Sequence, residues 1–124
     1  MTDDRLLALA RRAVESHRWR WTPGMLRLDG YRVCHRIVPR ALNPAEDVPD
    51  LTDPATLGCL LALVREAYRD PSKLWEGHVE VRRDHRTIFY VMGFHHDAGC
   101  LVEDILAWGC TEVEALVCAL EAKL

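Results

Sequence analysis

The strongest constraint on this chain is one helix whose start and end are both marked in the sequence. Asp53 can cap it, Pro54 takes the first helical position, where a missing N–H costs nothing, and Pro71 marks the exit. Because the residues between leave little polar surface, a helix from 54 to about 69 is predicted at the centre of the molecule, packed on more than one side. Gly58 costs about 1 kcal/mol relative to alanine there, unless it permits a close backbone approach.

Two further helices are predicted on either side of this one. Residues 2–17 form an amphipathic pattern, and Thr111 with Glu114 makes the T-x-x-E capping box of a last helix. The first apolar stripe comprises Leu6, Leu7, Ala10, Ala13, Val14 and His17, and the last comprises Val113, Leu116, Val117, Leu120 and Leu124.

The segment after the first helix has a β-prone pattern. Asp29-Gly30 tolerates the positive φ angles of a two-residue turn. This dipeptide predicts a hairpin of strands 25–28 and 31–38, followed by a proline-rich loop over 39–52.

Three more strands are predicted after the central helix. "HVEVRR" and "TIFYVMGF" form a second hairpin joined at residues 84–86, and "LVEDILAWG" is assigned as a strand ending near Gly109 rather than as a helix. The order α-β-β-α-β-β-β-α predicts an α+β fold, in which an antiparallel sheet of about five strands buries one face under three helices.

Length and composition favour a single domain, residues 1–124, that folds alone. The apolar fraction of 49% and the charged fraction of 28% are those of a globular protein. No apolar run approaches the roughly 20 residues that cross a bilayer, and the acidic start lacks a secretory pattern, so a cytoplasmic location is expected. Five cysteines without a C-x-x-C pair favour buried free thiols over a disulfide framework or zinc ribbon.

Charge is divided unevenly along the chain. Residues 1–40 hold nine arginines against four acids, a net +5, whereas the rest carries −8. The favoured interpretation is that the two parts neutralise each other in the fold, and the alternative is a dedicated anion-binding face.

Three blocks of the sequence carry a resemblance. They are "WRWTPGM" at 19–25, "DLTDPATLGCLLALVREA" at 50–67 and "TEVEALVCALEA" at 111–122. In pattern and order they resemble small proteins of unassigned function encoded in bacteriophages and prophages. The resemblance implies a bacterial host cell and an accessory role, because small non-structural phage proteins often bind and block host proteins, including components of immune systems such as CRISPR effectors.

The heptad "FHHDAGC" raises the question of a metal site. His95, His96 and Cys100 are residue types that bind zinc, which makes a metal-dependent hydrolase the third functional hypothesis. Adjacent side chains in a strand point to opposite faces, however, and no standard ligand spacing is present. A strand end followed by a turn, with Asp97 and Gly99 as the turn formers, is therefore favoured.

Two surface hypotheses apply to the arginine- and tryptophan-rich segment. In the first, exposed tryptophans and arginines anchor a protein of the bacterial host, or a second copy in a homodimer. In the second, the same side chains bind nucleic acid or a nucleotide signal through phosphate contacts and base stacking. The residues concerned are Arg18, Trp19, Arg20, Trp21, Arg32 and Arg36, with Trp75 and Trp108 as further candidates for protein contact.

Stoichiometric binding to a host protein is the favoured function. No nucleophile elbow, zinc-protease motif or nucleotide-binding glycine loop is present in the sequence. An enzyme is therefore the minority hypothesis, and no cofactor is expected.

Overall fold

The helices and strands are described from a computed structural model, which covers residues 4–34, 48–70, 75–85 and 88–123. The order is α-α-β-β-β-α, an α+β fold, with three long strands rather than about five. The two residues Arg69–Asp70 pair antiparallel with the start of the first long strand. None of the helices in these ranges is long and apolar enough to cross a membrane. The elements are α1 (Asp4–Glu15), α2 (Pro54–Ala67), β1 (Trp75–Arg83), β2 (Phe89–Asp97), β3 (Cys100–Gly109) and α3 (Glu112–Ala122).

Helix α2 begins as its sequence predicts. The Asp53 carboxylate accepts hydrogen bonds from the backbone N–H and the hydroxyl of Thr56, both at 3.0 Å, and Pro54 is the first helical residue. The helix ends at Ala67, and Tyr68 caps it and donates its hydroxyl to the Ala119 carbonyl of α3 at 2.9 Å. This bond ties the end of the central helix to the last helix.

Gly58 of α2 lies on the exposed side of that helix. The helix packs on α3 and on β1, as predicted for a helix covered on more than one side. A Cβ added at Gly58 would have no atom within 4 Å. Gly58 therefore permits no close approach, and its conformational cost is uncompensated.

Helices α1 and α3 contact each other through their apolar stripes. In α1 the buried residues are Leu9, Ala10 and Ala13, so Leu9 joins the predicted stripe. His17, predicted to belong to that stripe, lies beyond the end of the helix at Glu15 and is exposed, and the other predicted members are only partly buried: Leu6, Leu7 and Val14. In α3 the Glu114 N–H donates to the Thr111 hydroxyl at 3.2 Å, which confirms the cap. The Glu114 carboxylate accepts from the Cys110 N–H, one residue earlier than in the predicted box. The predicted α3 stripe is buried at Val113, Leu116, Val117 and Leu120, while Leu124 lies outside the described residues.

The three strands form an antiparallel sheet in the order β1-β2-β3. The second predicted hairpin and the assignment of the last strand are confirmed. In the heptad, Asp97 pairs with Cys100, and the two residues between them are Ala98 (φ 51°) and Gly99 (φ 81°). "FHHDAGC" is thus a strand end and a turn, as favoured, but the turn formers are Ala98 and Gly99, while Asp97 belongs to β2.

The predicted first hairpin forms its turn but not its strands. Gly30 has φ 95°, and the Arg27 N–H donates to the Tyr31 carbonyl at 2.7 Å. Beyond this turn the Val33 N–H donates to the Met25 carbonyl at 2.8 Å, and the pairing among the described residues consists of isolated bridges, one of which joins Leu26 and Arg32. The predicted strand residues 35–38 lie outside the described residues, as do 39–47 of the predicted loop.

The peptide groups of this turn that point away from the hairpin bond to other parts of the chain. The Leu26 N–H donates to the Thr56 hydroxyl at 2.9 Å, and the Leu28 N–H donates to the Val48 carbonyl at 2.9 Å. The segment is therefore fastened to α2 and to the 48–50 segment in addition to its own short pairing.

The sheet has a core face and an outer face. Val79 and Val91 are fully buried on the core face, in one cluster with residues of all three helices. Cα partners in adjacent strands share a face and successive residues alternate. The outer face therefore consists of Tyr90, Met92, Phe94 and His96 of β2 together with their register partners on β1 and β3.

Candidate functional site

Strand β3 presents three large apolar side chains on the outer face. Its register pairs Leu101 with His96, Ile105 with Met92 and Trp108 with Tyr90. Their exposed fractions are 60%, 55% and 66%, which are high for side chains of this size. Within the described residues β3 pairs only with β2, so it is an edge strand. Leu101, Ile105 and Trp108 are called the apolar row below.

A bulge brings these residues onto one face. Val91 pairs with Ala107 but Met92 pairs with Ile105, so Leu106 is an additional residue on β3. Leu106 packs against the core, and the alternation resumes with Trp108 outward. Simple alternation along the sequence would place Ile105 and Trp108 on opposite faces, which is why the row could not be read from the pattern.

A charged network lies beside the apolar row on the outer face. Glu80 hydrogen-bonds to the His78 ring and to Arg82, each at 3.1 Å, and these two partners, His78 first, lower the pKa of Glu80. Arg82 also lies 3.5 Å from the Glu103 carboxylate of β3 and over the Phe94 ring at 5.6 Å. These charged groups are paired with one another, and Glu103 lies between Leu101 and Ile105 on the same face.

Two of the predicted arginines, Arg20 and Arg32, are paired with acids from the later part of the chain. Arg20 forms a two-pronged ion pair with Glu66 of α2, and this partner lowers the pKa of the Glu66 carboxyl. Arg32 donates to both carboxylate oxygens of Asp53 at 3.1 Å, and it is the main reason that the pKa of Asp53 falls to about 2. Together with the Arg12–Glu121 pair, these contacts join the basic and acidic parts of the chain at three arginines, as the favoured interpretation predicts.

The predicted tryptophans of the same segment contact each other and pack partly into the core. The Trp19 and Trp21 rings meet edge to face with centroids 5.4 Å apart. Arg18 is exposed and borders, with Trp19 and Arg20, a groove of about 200 Å³ that also contains the Glu66 carboxylate. An anion in this groove would compete with Glu66 for Arg20. Arg36 and the Trp75 side chain lie outside the described residues.

The predicted metal ligands do not form a set. His95 Nε2 lies 2.8 Å from the Asp104 carboxylate, His96 is the next residue along the strand, and Cys100 is exposed at the start of β3. Among the described residues no three His, Cys, Asp or Glu side chains are placed to hold a metal ion. All five cysteines are free, as predicted, but Cys100 and Cys110 are exposed and the others are only partly buried.

Comparison of the chain with protein-family models, curated proteins and solved structures gives no match. The function therefore has to be inferred from the surfaces of the molecule. The apolar row differs most from an ordinary protein surface, and of its members the sequence analysis named only Trp108.

Proposed function

We propose that this protein is a small phage accessory protein that acts by stoichiometric binding to a protein of the bacterial host. The observation that carries the proposal is the apolar row on an edge strand. Large apolar side chains exposed together on one face mark interaction sites, and tryptophan is prominent among binding hot spots. We further propose, on the resemblance to phage-encoded proteins, that the host target is a defence component such as a CRISPR effector.

The other surfaces give less support to competing functions. The arginine pairs occupy groups that a nucleic-acid site would need free, and a hydrolase would need ligands that the described residues do not bring together. Binding through the row needs no reactive group, only a partner surface that covers it.

The test is a plaque assay on bacteria with an active CRISPR system that targets the infecting phage. Cells producing the wild-type chain are expected to let the phage form plaques, and the effector is expected to co-purify with the chain near one-to-one. Ile105→Lys, which places a charge in the row, should weaken binding by about tenfold or more and restore protection. Arg20→Ala, which breaks only the pair with Glu66, should behave as wild type.

Two outcomes would contradict the proposal. If Ile105→Lys, with an unchanged circular dichroism spectrum and melting temperature, still supports plaques, the row is not the binding surface. If no effector co-purifies and the wild-type chain has no effect on plating, the anti-defence assignment is wrong.

The second candidate is binding of nucleic acid or a nucleotide signal. It is favoured by one observation, the groove beside Arg18, Trp19 and Arg20. Binding there would have to displace Glu66 from Arg20, so Glu66→Gln should strengthen it. A salt-dependent mobility shift with single-stranded DNA that Arg20→Ala abolishes would establish this candidate over the first.

A further inference from the structure

Glu103 places a charge inside the apolar row. It lies between Leu101 and Ile105 on the outer face of β3, and its Cα partner on β2 is Phe94. The side chain is 50% exposed, so water solvates the carboxylate in the unbound protein. A partner that covers the row would remove this water. The centres of protein interfaces are poor in charged residues because the loss of hydration costs free energy.

Arg82 of β1 supplies the opposite charge. Its Nη1 lies 3.5 Å from Glu103 Oε2, so the side chain reaches over β2 to β3. Its guanidinium lies over the Phe94 ring, 5.6 Å from the centroid, and Phe94 is only 7% exposed although it faces outward. If Arg82 were removed, Glu80 would keep its contact with the His78 ring at 3.1 Å, whereas Glu103 would lose this cation.

We propose that Arg82 is a positioning residue for partner binding, because its ion pair with Glu103 lets a partner cover the row without burying a lone charge. This inference rests on the proposed function, since it concerns how the row accepts a host protein. Removing one member of a covered ion pair is costly mainly because the other charge is left without its partner. The effect of Arg82→Ala should therefore come from the carboxylate of Glu103 and not from a lost contact between Arg82 and the host protein.

A double-mutant cycle separates these two origins. Binding of the CRISPR effector used in the plaque assay is measured for wild type, Arg82→Ala, Glu103→Gln and the double variant. Arg82→Ala should weaken binding about tenfold or more, and Glu103→Gln should change it by less than about twofold. The double variant should return to within about threefold of wild type. Both chains that lack Arg82 leave Phe94 equally uncovered, so the difference between them reports the charge.

Retention on a column of uncharged phenyl groups gives a second readout that needs no host protein. The high salt used for loading screens long-range charge effects, so retention reports how readily the row is covered. Glu103→Gln should lengthen retention in the Arg82→Ala background and leave it nearly unchanged when Arg82 is present. The matched control is the Arg20–Glu66 pair, which lies outside the row. Glu66→Gln should change retention equally with and without Arg20→Ala.

Three results would overturn the proposal. Wild-type binding by Arg82→Ala would show that the row does not depend on the ion pair. Equal losses in Arg82→Ala and in the double variant would mean that Arg82 contacts the host protein itself or acts only by covering Phe94. A tenfold loss in Glu103→Gln alone would mean that the host protein binds the carboxylate.

Failure of this inference is distinguishable from failure of the proposed function. If Ile105→Lys abolishes effector capture while Arg82→Ala does not, the proposed function stands and the role of Arg82 is wrong. If the column gives the expected pattern while wild type captures no effector, the ion pair controls access to the row and the proposed function is wrong.

Discussion

The arginine-rich segment 18–32 and strand β3 use their side chains in opposite ways. In the segment, the residues that suggest a binding face are engaged internally: Arg20 with Glu66 and Arg32 with Asp53. In β3, a stretch that suggests an ordinary core strand leaves its apolar row exposed. Charged and aromatic residues therefore identify a binding surface only once the ion pairs of the charged side chains and the register of the strands are known.

The largest expected effect comes from the same leucine-to-alanine change made once in the core and once in the apolar row. Leu120→Ala, in the core against the helices, should lower the free energy of unfolding by about 2–5 kcal/mol. Leu101→Ala, in the apolar row, should change it by no more than about 0.5 kcal/mol. Urea denaturation of both variants measures the difference. A large loss for Leu101→Ala would mean that the row is covered, contrary to the binding proposal.

A second pair of variants tests where β3 is fixed. A Cβ at Gly109 would lie 2.8 Å from the Ala115 backbone nitrogen and 2.9 Å from Glu114 side-chain atoms. Gly109→Ala should therefore cost about 1–3 kcal/mol through overpacking against α3. The matched change Gly58→Ala, in open space on α2, should stabilise the protein by about 0.4–1 kcal/mol. In thermal melts, Gly109→Ala should lower the melting temperature and Gly58→Ala should raise it. If both variants shift the melting temperature in the same direction, the surroundings described for one of the two glycines are wrong.

The smallest expected effect concerns the arginine side of the comparison. Arg32, and then the hydrogen bonds from Thr56, lower the pKa of Asp53 from 3.8 to about 2. The pairing therefore contributes stability above about pH 4, which is lost as pH falls through about 2. Asp53→Asn keeps a good cap but removes this contribution, so its melting temperature should lie slightly below wild type at pH 5 and converge at pH 2. In an Arg32→Ala background, Asp53→Asn should change the melting temperature at pH 5 by less than it does in the wild-type chain. If the melting temperatures of Asp53→Asn and wild type differ by the same amount from pH 5 to pH 2, the Arg32–Asp53 pair is not formed.

Local signals predicted most of the regular structure. Asp53-Pro54 and Thr111 with Glu114 fix their helix starts through contacts three residues away or nearer, and the pattern over 101–109 is correct as a strand. The first predicted hairpin forms its turn and a few bonds across it, such as Val33 N–H to the Met25 carbonyl, but these make an isolated bridge and not two strands. The further bonds of Leu26 and Leu28 to Thr56 and Val48 are encoded by no local pattern.

The candidate site was less predictable than the fold. Arg20 and Glu66 are 46 residues apart, so their pairing depends on how α2 packs, whereas the local pattern by itself predicts a binding face. The row depends on the bulge at Leu106, which changes which residues of β3 share a face. Both features depend on how distant parts of the chain pack and pair, which composition and residue spacing do not reveal.

Helix α3 has one more consequence, for synthesis of the chain. It contacts α1, α2 and all three strands, and every one of those elements precedes it in the sequence. Until residues 112–122 have left the ribosome, the earlier helices and strands lack their shared apolar partner. During that time the core face of the sheet stays exposed to water. This exposed apolar surface is what a chaperone would bind on the nascent chain.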